Sequence, residues 1–150
     1  MKKFLPLLAF VLAMDAQACG ISRSTSSDLI VKLLKDNGWN GSKFDTVCAK
    51  LNRANAALVI DGDATVLAGA SVGWAVLMLK DKDSNIATSD YSSKTTSVNT
   101  SRASMDVAEN LLYSALNNAL DNYDVDKAID ALDAARSKTR AALAPKAGKK

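Results

Sequence analysis

Hydrophobic and polar positions change their spacing three times along the chain. Between residues 28 and 53 apolar side chains return every three to four positions. Leu29, Ile30, Leu33 and Leu34 form one stripe, and Phe44, Val47, Cys48 and Leu51 form another, which predicts two short helices. Ser27 is placed to cap the first, Asp28 suits its first turn, and Gly38 ends it. Ser42 with Asp45 three residues on marks the start of the second, across a tight corner Gly38-Trp39-Asn40-Gly41.

Past Ala56 the pattern shortens. Residues 57–60, 65–68 and 72–80 are rich in branched side chains, which predicts strands broken at Asp61-Gly62 and at Gly69. Asp-Gly is a favoured hairpin dipeptide, so Asp61-Gly62 reads as a turn. Residues 80–85 read as a polar hairpin loop. Residues 88–104 hold ten serines and threonines among seventeen, which fits an edge strand or a loop equally.

The helical period returns at Met105 and runs through Ala108, Leu111, Leu112, Ala115, Leu116, Ala119 and Leu120. After a joint at Asn122-Tyr123-Asp124, a last helix turns Val125, Ala128, Ile129, Leu132, Ala135 and Leu143 inward. The expected fold is therefore α+β in one domain over residues 19–144. Two N-terminal helices precede an antiparallel sheet of three or four strands, and a C-terminal helical hairpin packs on one of its faces.

The first eighteen residues follow a different logic. Lys2 and Lys3 precede an uncharged, mostly apolar run over residues 4–14, and Ala16-Gln17-Ala18 supplies a small–x–small cleavage pattern. That order predicts a signal peptide over residues 1–18 and a bacterial protein, periplasmic or secreted after cleavage near Ala18. Eleven residues cannot cross a bilayer that needs about 20. The uncharged run over residues 64–79 is also short for a span and carries Gly69 and Gly73, so paired strands fit it better.

Cleavage alters the charge picture. The whole chain carries +3, the mature chain +2, and residues 19–144 about −1, leaving a near-neutral body with a basic, disordered tail over residues 145–150. No basic stripe is interleaved with aromatic residues, so nucleic acid is not an expected partner. Two cysteines in an exported chain predict a disulfide between Cys19 and Cys48, closing a loop worth about 3–4 kcal/mol. The alternative is a lipid anchor on Cys19. Ala18 before that cysteine resembles the bacterial lipobox, whereas Ala16 and Gln17 depart from it.

The chain has no histidine, which removes Ser-His-Asp and Cys-His catalysis and histidine metal sites. Gly69-Ala70-Ser71-Val72-Gly73 spells G-x-S-x-G, but there is no histidine to take the serine proton and no lysine at S-x-x-K spacing, so small residues for close packing explain it. Asp61-Gly62-Asp63-Ala64-Thr65, entered from an apolar run, resembles the first motif of the haloacid dehalogenase superfamily. That resemblance implies a Mg²⁺-dependent phosphatase with Asp61 as nucleophile and Asp63 as general acid/base. It spans about nine residues, and no later strand ends in paired acids. The loop Asp81-Lys82-Asp83-Ser84-Asn85 starts like a calcium loop but has Ile86 at the glycine position. No metal, cofactor or catalytic set is expected.

The expected function is a small, non-catalytic, exported binding protein of the bacterial envelope, acting as an inhibitor, immunity or accessory protein through protein–protein contact. Trp39, in its glycine-flanked corner, is the candidate partner anchor, with packing as a cap on the core as its other reading. A lipoprotein with a structural role, anchored at Cys19, is the alternative, followed by the phosphatase on Asp61 and Asp63.

Overall fold

The computed structural model describes residue 21 and residues 23–143; the expected signal segment, Cys19 and the basic tail lie outside the described residues. Eight elements follow in order: β1 (Arg23–Ser24), α1 (Asp28–Asn37), α2 (Phe44–Arg53), β2 (Ala56–Leu67), β3 (Ala70–Asp81), β4 (Ala87–Asn99), α3 (Met105–Asp121) and α4 (Val125–Leu143). The fold is α+β, with a four-stranded sheet in the order β1-β2-β3-β4. β2, β3 and β4 are antiparallel as expected. The two-residue β1 joins β2 in parallel, so the sheet is mixed rather than wholly antiparallel.

The helix starts follow their local chemistry. The Ser27 side chain accepts from the Ile30 N–H, Ser104 does the same for Val107, and Gly38 closes α1 with a positive φ. For α2 the cap position falls on Lys43, one residue past the expected Ser42, without a side-chain bond. Ile30, Leu33, Leu34, Val47 and Leu51 join Ala108, Leu112, Leu116, Leu120, Ala128 and Leu132 in one buried cluster. The same cluster takes Leu58, Ile60, Leu77 and Leu79 from the sheet, so all four helices bury their stripes against one sheet face. Leu143, expected inside, is 79% exposed at the end of α4.

Asp61-Gly62 is not a turn. β2 runs unbroken through it, pairing Asp61 with Val76 and Gly62 with Ala75, and the hairpin turns instead at Ala68-Gly69. The reason is a close approach. A Cβ at Gly62 would strike the Trp74 carbonyl, and one at Gly73 would fall within the backbone of Leu111 and Leu112. Glycine stands at both positions because the sheet lies tight under α3. The serine of the G-x-S-x-G sequence is part of this seam. Ser71 is fully buried, donates to the carbonyls of Arg102 and Ser104, and accepts from the Ser104 N–H.

The serine- and threonine-rich segment is an edge strand with one irregularity. Leu77 pairs with Ser93 and Leu79 with Thr88, so residues 89–92 stand opposite Met78 alone. This bulge carries Tyr91 onto Tyr123, with ring centroids 6.4 Å apart. Tyr123 is itself 3% exposed, and burial above all pushes its phenol pKa up, keeping it neutral.

Two polar clamps hold the layers together. Asn117, buried in α3, accepts the N–H groups of Asn40 (2.9 Å) and Gly41 (3.0 Å), while Asp121 accepts that of Lys43. At the far end Arg136 of α4 binds Asp81 (Nε–Oδ2, 2.6 Å), Asp133 (2.7 Å) and the carbonyls of Ala54 and Asn55. Desolvation would raise the Asp81 carboxyl pKa, but hydrogen bonds from Ser84 and Arg136 outweigh it and hold the group below the usual aspartate value.

Candidate functional site

β3 alternates without a fault. Ser71, Gly73, Ala75, Leu77 and Leu79 point to the helices and are buried, or in the case of glycine pressed under α3. Val72, Trp74, Val76, Met78 and Lys80 therefore point the other way, and all five are half-buried. None of the four apolar members belongs to the core cluster or packs against it. Among the described residues no helix lies over them.

The strands beside β3 complete this face. Registry places Thr65 and Val98 on either side of Val72, Asp63 and Thr96 beside Trp74, and Asp61 and Lys94 beside Val76. Val59 lies next to Met78. The result is an apolar stripe centred on Trp74 and Val76, with two carboxylates on its β2 side and the Lys94 ammonium on its β4 side. Toward the turn the apolar surface continues into Leu67 and Val98, which are 58% and 57% exposed. A strand apolar on both faces ordinarily has both faces covered. Here one is covered.

Asp61 and Asp63 are exposed and share this face at i and i+2 spacing. Each carboxylate accepts the N–H of the next residue, at 2.9 Å to Gly62 and 2.8 Å to Ala64. They stand in mid-strand in an antiparallel pair. The phosphatase motif needs its aspartates at the end of a parallel strand, where loops gather other groups around them. Among the described residues no three acidic or sulfur side chains come together as a metal-binding group.

The other singled-out residues have structural positions. Trp39 is half-buried, packs against the core and stacks on Phe44 at 6.3 Å. Cys48 is fully buried on α2 and accepts a long hydrogen bond from Asn52; its expected partner Cys19 lies outside the described residues. Asp81 serves the sheet–helix clamp and accepts the N–H groups of Asp83 and Ser84, which accounts for the calcium-loop likeness as a capped turn. Asp126 and Asp133 pair with Lys50 and Arg136. A groove of about 620 Å³ beside Ile86, Thr139 and Leu143 has Asp81 and Arg136 as polar groups, already committed to each other.

Both tryptophans are half-buried. Trp39 packs toward the core, the alternative its corner also allows, whereas Trp74 lies in an uncharged run that reads as core and stands on the face away from it. A usable signal was present in residues 71, 73 and 75. Serine, glycine and alanine alternate there with valine and tryptophan, and the small set marks the side a helix approaches. Among the described residues no helix is long and apolar enough to cross a membrane. No family model, curated protein or solved structure matches the chain.

Proposed function

We propose that this chain is an exported, non-catalytic binding protein of the bacterial cell envelope that works by protein–protein contact through the uncovered face of its sheet. One observation carries the reading: Val72, Trp74, Val76 and Met78 line the central strand on the side away from the core. Apolar area of this kind, rimmed by charge, is the usual composition of a contact surface. Trp74 replaces Trp39 as the anchor, because large aromatic side chains at the centre of such a patch dominate binding.

Export rests on the Lys2-Lys3 start, the apolar run over residues 4–14 and Ala16-Gln17-Ala18. Cys48 faces the core at the middle of α2, where a bridge from Cys19 would fasten the start of the mature chain.

Two measurements test the proposal. The intact mass of protein recovered from the envelope is expected to lack residues 1–18 and two hydrogens; added acyl mass would establish the lipid-anchored alternative instead. A photo-crosslinking side chain placed at Val76 is expected to give discrete covalent adducts in the native compartment, and one placed at Lys138 on α4 none. Equal adducts from both positions would sink the contact-face reading. Hydrolysis of an aryl phosphate with Mg²⁺, abolished by Asp61→Asn, would restore the enzyme reading.

A further inference from the structure

We propose that the occupant of this face is a second copy of the chain, stacked sheet on sheet about a two-fold axis running along β3. The inference rests on the reading of the face as a contact surface and adds what it contacts.

The charge pattern selects the partner. On this face Asp61 and Asp63 lie on β2, Lys94 lies on β4, and β3 between them contributes only Val72, Trp74, Val76 and Met78 before Lys80. A two-fold axis along β3 turns each cross-strand row over onto itself. Asp61 of one copy then stands over Lys94 of the other, and the same pairing is made twice. Thr65 meets Val98, Asp63 meets Thr96, and the Trp74–Val76 stripes of the two copies meet along their length. The face carries two carboxylates and two ammonium groups, so no net charge opposes self-association.

The other way of stacking two copies has its axis across the strands. It sets β2 on β2 and brings Asp61 and Asp63 against carboxylates of the second copy. Like charges across a contact disfavour it, so the pattern distinguishes between two isologous arrangements. Lys80 is the one charge near the favoured axis. It lies at the far end of the stripe, where aligned sheets crossing at about 30° have diverged. Two such sheets pack about 10 Å apart, the ordinary thickness of a β-sandwich core.

The size of the face sets the strength. Three strands spaced about 4.8 Å apart and roughly nine residues long give on the order of 400 Å² of face per copy. A standard stable interface uses about 800 Å² per partner. The face is about half that size, which places the dimer among weak, concentration-dependent contacts.

Sedimentation velocity of the mature chain, from about 1 μM to about 1 mM, tests this. The weight-average coefficient is expected to rise from monomer to dimer across that range. Trp74→Asp is expected to hold the protein monomeric throughout. Asp61→Lys and Lys94→Asp are each expected to weaken association at least about tenfold, and the double variant to return it to within about threefold, because the reversed pair is again complementary. Circular dichroism melts confirm that each variant is folded. A wild-type chain that stays monomeric overturns the proposal, and so does a dimer indifferent to Trp74→Asp. A double variant as weak as its parents overturns the axis along β3. If the wild type is monomeric yet the Val76 crosslinker captures a different protein, the second-copy inference fails and the contact-face reading stands. If neither association nor adduct is found, both fall.

Discussion

The two sides of β3 are built from the same strand under opposite constraints. The side under the helices has Ser71, Gly73 and Ala75 where α3 presses closest, widening to Leu77 and Leu79 farther along. The other side has Val72, Trp74 and Val76, larger than the residues they alternate with, and then Met78, of about the size of Leu77. Hydrophobicity therefore does not tell the core from the surface here. Fit does: the covered side is filled by residues that leave room for a helix backbone, and the uncovered side by residues that project. That projection is what the contact-face proposal rests on.

The comparison can be broken by changing one side at a time. Gly73→Val puts branched atoms into the backbone of α3 and is expected to cost about 3 kcal/mol or more, read as a lost or strongly lowered urea midpoint. Leu77→Ala empties a fully buried position and is expected to cost about 2–5 kcal/mol in the same assay. Asn117→Ala removes a buried side chain that accepts the N–H groups of Asn40 and Gly41, for a loss of about 1–3 kcal/mol.

Acid is a gentler probe of the covered side. The lowered Asp81 pKa means that its contribution is complete above the unfolded value and fades as pH falls below about 4 toward the folded one. Urea midpoints measured at pH 6 and pH 3 are expected to fall with acidification, and Asp81→Asn to shrink that fall. The smallest effect belongs to the uncovered side. Val76→Thr, kept at a few micromolar so that the chain is monomeric, is expected to change stability by no more than about 0.5 kcal/mol. A loss as large as that of Leu77→Ala would mean that the two sides do not differ and that something covers both.

Much of the architecture is legible in the spacing of apolar residues. The four helices fall where their stripes predict, because each buries one face and its caps are local. The strand region is legible as strand but not in its joints. Asp61-Gly62 has the chemistry of a turn, and what makes it mid-strand is an α3 side chain and a β3 carbonyl that lie far away in sequence. Alternation identifies two faces for β3 but not which one the helices choose. That choice depends on all four helices sharing a side, a fact of tertiary packing. Trp74 was hidden for the same reason, since a tryptophan among valines reads as buried until the other face is seen to be occupied first. Asn117 gave no signal at all: a mid-helix asparagine shows its purpose only when the corner at Asn40 and Gly41 docks on it.

The bulge in β4 has a consequence for how this molecule can grow. A straight edge strand offers its free backbone groups as a template, and chains that accept neighbours edge to edge can extend without limit into ribbons. Residues 89–92 interrupt that template, and at the opposite margin the two-residue β1 covers β2 only at Leu58 and Val59, beyond which Asp61 and Asp63 place charge along β2. Sideways addition is thus discouraged at both margins. An assembly made through the proposed face-to-face contact would close after one addition, favouring small finite complexes over open-ended polymers.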